Sequence, residues 1–222
     1  MIDFLFPNVN WESVLYATLE TIYMSVVAVA FTFLFGIMLG LVLFLTDKDN
    51  LWDNRILKAI TAAFVNTFRS IPFIILIVLL IPFTQLIVGS FLGPSAALPA
   101  LIIGAAPFYA RMVEIALREI DKGVIEAARS MGASNREIIF KVLLPESMPA
   151  LVSGITVTSI ALVSYTAMAG VIGAGGLGDL AYRVGFQRRD DDVTLIATIV
   201  ILLIVFAFQY LGDRISHKLD KR

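Results

Sequence analysis

The chain contains no cysteine. Disulfides, thiolate nucleophiles and cysteine-based metal sites are therefore excluded. Histidine is almost absent as well. The single His217 lies in the charged C-terminal tail, where a solvated residue is the ordinary reading. Charge is scarce: 16% of the 222 residues are Asp, Glu, Lys or Arg, against about 25% in a soluble domain. The 17 basic and 18 acidic residues leave a net charge of −1, with no basic excess for nucleic acid. Apolar residues fill the gap, at 59% of the chain and a mean hydropathy of +0.88. This composition excludes a disordered or fibrous chain and almost any ordinary soluble enzyme. It indicates an integral membrane protein built from helices.

Charge-free stretches mark the spans. Uncharged residues number 26 between Glu20 and Asp47, 41 between Arg69 and Arg111, 32 between Glu146 and Asp179, and 20 between Asp192 and Asp213. A bilayer core takes roughly 20 residues of helix. The longest stretch therefore holds two spans, divided by the breakers Gly89, Gly93, Pro94 and Pro99. The expected fold is an all-α polytopic membrane protein forming one domain over 1–222. Its five transmembrane helices lie at about 15–45, 57–88, 96–117, 148–171 and 193–213.

Lys and Arg are retained on the cytoplasmic side. One set of connections carries thirteen of them: Lys48, Arg55, Lys58, Arg111, Arg118, Lys122, Arg129, Arg136, Lys141, Arg214, Lys218, Lys221 and Arg222. The other carries only Arg183, Arg188 and Arg189, and Arg69 falls inside a span. This places the N-terminus outside and the C-terminus in the cytoplasm, as five spans require. No basic residue precedes Lys48, so no cleavable signal peptide is expected.

The cytoplasmic loop 119–146 is long and patterned. A first amphipathic helix is predicted from about Lys122 to Met131, stopped by Gly132, which accepts positive φ. Ser134 and Glu137 have capping-box spacing for a second helix with Ile138, Ile139, Val142 and Leu143 on one side. Pro145 is expected to close it. Glu126-Ala127-Ala128 at the centre of the first helix is poor in large apolar residues. Small residues suit docking into a protein groove better than burial in lipid.

Glu126-Ala127-Ala128, three residues, Gly132, nine residues, Val142, one residue, then Leu144-Pro145 resembles the cytoplasmic signature loop of permease subunits of bacterial ABC importers. Only Val142 departs, where the family pattern has Ile. The resemblance implies a coupling helix seated in a cleft of a separate ATPase dimer, with Glu126, Ala127, Ala128, Arg129 and Gly132 as contacts. ATP and magnesium would be held by that partner; no cofactor is expected in this chain. The resemblance also implies a homodimer in the bacterial inner membrane and an extracytoplasmic substrate-binding lipoprotein.

Phe68-Arg69-Ser70-Ile71-Pro72, Gly104-Ala105-Ala106-Pro107-Phe108 and Gly173-Ala174-Gly175-Gly176-Leu177-Gly178 narrow the resemblance to the methionine-uptake permeases, over about residues 12–215. A permease for a quaternary amine such as glycine betaine is the near alternative. A channel or secondary carrier is the distant one. Span interiors read as lacking Asp and Glu, which argues against ion-coupled carriage.

The fourth span is small and polar. Helix packing through small residues and hydroxyls accounts for most of that pattern. Ser164, Tyr165, Thr166 and Met168 are the candidates to line or gate a path. Gly173–Gly178 lacks the lysine of a phosphate loop and reads as a tight turn. Arg188-Arg189-Asp190-Asp191-Asp192 is expected to be an external loop, solvated or docking a delivery protein.

Overall fold

A computed structural model describes residues 9–220. Lys221 and Arg222, which the orientation argument uses, lie outside them. Every regular element among the described residues is helical. The order is α1 (Trp11–Leu45), α2 (Arg55–Ser70), α3 (Phe73–Leu79), α4 (Ile81–Val88), α5 (Pro94–Arg118), α6 (Lys122–Ser130), α7 (Asn135–Glu137), α8 (Leu144–Ala169), α9 (Gly176–Leu180) and α10 (Asp191–Leu219). Wider π-type turns at Ile138–Leu143, Gly170–Ala174 and Ala181–Phe186 border α8 and α9.

Four helices are long and apolar enough to cross a bilayer: α1, α5, the continuous 135–174 stretch containing α8, and α10. The second span differs from expectation. Instead of one helix over 57–88, α2 and α3 meet at a 107° bend. Pro72 explains the break. It lacks an N–H, and its ring drives the preceding Ile71 out of helical geometry. Counted as one span, the bent pair makes five.

The prolines inside the long helices behave differently. Pro99 does not divide two spans, because α5 starts at Pro94 and runs through it. Nor does Pro145 end a helix. The π-type turn at Ile138–Leu143 passes directly into α8. A widened turn relieves the clash between a proline ring and the carbonyl one turn back.

The described residues form two compact units. The first comprises 9–31, 71–104 and 159–209. Its core joins Val14 and Ala17 of α1, Val163 of α8, Leu177 and Leu180 of α9, and Val193, Ile196, Ala197 and Ile204 of α10. Asp190 starts α10 by accepting from the Val193 N–H at 3.4 Å. That assigns a structural role to one residue of the 188–192 charge run.

The second unit comprises 32–70, 105–158 and 210–220. Close approach of backbones organises it. A Cβ on Gly36 would meet Tyr109 and the Ala106 carbonyl, and one on Gly40 would meet Val113 and the Ala110 carbonyl. Lipid offers no hydrophobic driving force between helices, so contact of this kind supplies the packing. Tyr109 is fully buried, stacks on Phe33 with centroids 5.8 Å apart, and donates to the Leu151 carbonyl at 3.0 Å. It thereby ties α1, α5 and α8 together. Outward faces are apolar instead: Leu34, Phe35 and Met38 of α1 are all exposed.

Candidate functional site

The loop after α5 folds largely as its sequence indicates. Asp121 caps α6 by accepting from the Gly123 N–H at 2.7 Å, a cap the sequence reading passed over. Gly132 takes φ +82 and ends the helix, and the Ala133 N–H reaches back to the Ala128 carbonyl at 3.1 Å. The Ser134–Glu137 capping box is complete. Ser134 N–H donates to Glu137 Oε2 at 3.1 Å, and Glu137 N–H donates to Ser134 Oγ at 3.4 Å. Lys141 adds a 3.0 Å ion pair to Glu137.

The five coupling candidates do not share one face. Glu126, Ala127, Arg129 and Gly132 are exposed. Ala128 is 5% exposed and packs into the chain's own core with Leu117, Ile120, Ile138, Ile139 and Leu143. Ala127 belongs to the surface, and Ala128 seats the helix on its own protein. A small hollow of about 60 Å³ beside α6 is lined by Asp49, Asn50, Lys122, Glu126 and Arg129, among others.

Beneath the loop, in the same unit, lies an ion-pair cluster. Glu114 of α5 is 1% exposed. It accepts from Lys58 at 2.8 Å, Arg111 at 2.6 Å and Arg118 at 2.8 Å. Asp47 also holds Arg118 at 2.6 Å, and Lys58 donates to the Leu43 carbonyl at 2.7 Å. Glu114 thus joins the start of α2 to the end of α5, and Lys58 and Asp47 tie both to the end of α1. Arg111, Glu114 and Arg118 stand at i, i+3 and i+7, a readable helical spacing. Lys58 and Asp47 arrive only through the fold.

Glu114 corrects the view that the spans lack acidic residues. It lies inside α5, one turn from its end. A second exception, Glu20, lies in the third turn of α1. Arg69, the basic residue expected inside a span, sits in the last turn of α2 and is exposed. A cation is favourable there because helix carbonyls converge at the C-terminus.

The path candidates on α8 divide as well. Ser164 and Met168, four residues apart, share an exposed helix face with Val157 and Val171. Tyr165 is half-buried and stacks almost parallel on Phe73, with centroids 4.3 Å apart and an interplanar angle of 2°. Thr166 does not face outward. It is 1% exposed, and its hydroxyl donates to the Val163 carbonyl at 2.7 Å. Among the other α8 hydroxyls, Ser153 bonds across helices to Ser216 of α10 at 2.9 Å, whereas Thr156 and Thr158 donate to carbonyls of their own helix. The glycine stretch is a tight turn, with φ of +100, +80 and +78 at Gly173, Gly175 and Gly176.

The arrangement offers a shaped polar projection mounted on apolar helices. Comparison with known proteins agrees. Residues 33–222 match the family described as binding-protein-dependent transport system inner membrane component. The chain is 60% identical to the methionine import system permease protein MetP of Bacillus subtilis, with 100% of both chains covered. It is 48% identical to the probable D-methionine transport system permease protein MetI of Pasteurella multocida, over 96% of this chain and 98% of that one. A solved inward-facing structure of the MetNI methionine ABC transporter superposes with a TM-score of 0.92 at 44% identity, covering 94% of this chain and 97% of its counterpart. The chain therefore belongs to the binding-protein-dependent transport system inner membrane components, as a multi-pass permease subunit of an ABC importer.

Proposed function

We propose that this chain forms the translocation path for methionine in an ATP-driven importer. The observation that carries the coupling is the α6 projection. It is capped at Asp121, stopped at Gly132 and anchored by Ala128, with Glu126, Ala127 and Arg129 left outward. The relatives named for methionine import support the substrate. The domain acts as a single unit over 1–222, with the N-terminus outside and the loop 119–146 in the cytoplasm.

In this account two copies assemble across the exposed α8 faces. Two ATPase subunits bind ATP and magnesium and receive the α6 projections. A binding lipoprotein delivers cargo on the opposite side. Closure of the ATPases moves the projections, and the rigid connection through Ala128 and the Glu114 cluster passes that motion to α1, α2 and α5. Ser164, Met168 and the Phe73–Tyr165 stack line or gate the path. A path that must release its cargo has no need of tight binding groups, and the groups here are hydroxyls, a thioether, valines and aromatic rings.

The test is uptake of labelled L-methionine by cells lacking their own methionine importers. The chain is supplied with its ATPase and binding-protein partners. Energy-dependent uptake, uncompeted by glycine betaine and abolished by Glu126→Lys, is expected. Absence of methionine uptake by a correctly inserted, ATPase-bound permease would sink the substrate assignment.

A further inference from the structure

Glu20 belongs to neither the coupling projection nor the path. It is half-buried in α1, and its Oε2 accepts from the Gly176 N–H at 2.7 Å. Its neighbour Thr21 is 2% exposed and accepts at Oγ1 from the Leu177 N–H at 2.8 Å. Thr21 in turn donates to the Ala17 carbonyl at 3.0 Å. Gly176 and Leu177 open α9, and the first N–H groups of a helix have no acceptor within it. Two side chains of α1 thus cap a helix 156 residues away in sequence.

The contact is close. A Cβ on Gly175 would stand 2.6 Å from Glu20 Oε2, and one on Gly176 would stand 2.7 Å from Thr21 Oγ1. On the far side of the turn, α9 lies against the backbone of α8. A Cβ on Gly178 would meet the Ala167 carbonyl, and one on Gly170 would meet the Asp179 nitrogen. Ala167 lies between Thr166 and Met168. A carboxylate within an apolar helix is costly unless compensated, and peptide N–H groups at a helix start compensate it. The bond is directional and weakens steeply as its geometry departs from linear.

Building on the permease reading, we propose that Glu20, assisted by Thr21, is a positioning residue for the translocation path. Its carboxylate holds the glycine turn and, through the α9–α8 backbone contact, fixes the Ser164–Met168 segment. Opening of the path requires this bond to break.

The chain lacks cysteine, so Ser164→Cys provides a single-thiol reporter. In the reconstituted permease–ATPase complex, E20A is expected to raise the rate of reporter labelling at least fivefold. Basal ATP hydrolysis without binding protein should rise severalfold. E20Q retains an acceptor oxygen and should stay within twofold of the parent on both. T21V keeps the side-chain volume, removes the second acceptor and should shift both readouts in the E20A direction. If E20A does not assemble, T21V decides. Labelling and hydrolysis within twofold of the parent for a well-assembled E20A or T21V would overturn the proposal, as would equal loss of assembly in every variant. Neither readout uses methionine, so a failed methionine assay leaves this result standing. If no ATPase subunit binds, the permease reading fails, and labelling of the permease alone in vesicles still reads the contact.

Discussion

Replacement of Glu114 by alanine is the perturbation whose size follows most directly from the structure. The carboxylate is 1% exposed and holds Lys58, Arg111 and Arg118 at 2.6–2.8 Å. Breaking a fully buried pair from one side costs about 3–5 kcal/mol, because the remaining charge is stranded. Here the cations are only partly buried, with side-chain exposures of 20%, 40% and 52%. Arg118 also keeps Asp47 at 2.6 Å. Solvent screening therefore reduces the expected loss to about 2–3 kcal/mol. Glu114→Gln preserves shape and one acceptor and should lose about 1–2 kcal/mol. Denaturant unfolding of the purified complex in detergent measures both. Adding Lys58→Met to Glu114→Ala should cost less than the sum of the two, since one stranded cation is removed, with a coupling of about 0.5–3 kcal/mol. A Glu114→Ala variant within about 0.5 kcal/mol of the parent, inside the ordinary scatter of surface changes, would refute the reasoning.

Other expectations concern the loop and the glycine turn. Gly132 has φ +82 and nothing within 4 Å of a notional Cβ. Gly132→Ala should therefore lose only about 1–2 kcal/mol, through backbone strain. Gly132→Trp should still insert but abolish coupled uptake; wild-type transport by that variant would contradict the docking role. Ser134→Ala removes the capping box and should lose about 1 kcal/mol of local stability. Faster amide exchange confined to 132–140 is the readout, and unchanged exchange there counts against it. Gly178→Ala puts a methyl into the Ala167 backbone. Overpacking of about 1–3 kcal/mol or more should lower the yield of monodisperse protein by size-exclusion chromatography. Parent-level yield would show that α9 can shift.

Long apolar runs were legible in the chain because charge is excluded from a bilayer over a fixed length. α1 and α10 follow from that rule alone, and α5 appears within two residues of its expected ends at 96 and 117. The capping box at Ser134–Glu137 and the Gly132 stop were legible too, since their chemistry is local. Long-range contacts were not. Glu20 meets Gly176, and Lys58 meets Glu114, only when separate helices come together. Each of these carboxylates sits near the charged end of a stretch and reads there as a boundary marker. The inward turn of Ala128 and of Thr166 was hidden for a related reason. A small or hydroxyl-bearing residue suits a docking face, a packed interface and a bond to its own helix equally well. Pro72 and Pro145 show the same ambiguity for backbone. One breaks a span by 107°, while the other is carried through a widened turn.

Transport driven through the α6 projection by a separate ATPase can be observed in vesicles. The most direct measurement places the permease–ATPase complex in vesicles with binding protein and labelled methionine on the side opposite the 119–146 loop. ATP is supplied only on the loop side. Methionine should accumulate against its gradient on the loop side, and Glu126→Lys should stop this in a complex that still assembles. Equilibrating flux without ATP, or accumulation undisturbed by that substitution, would contradict it.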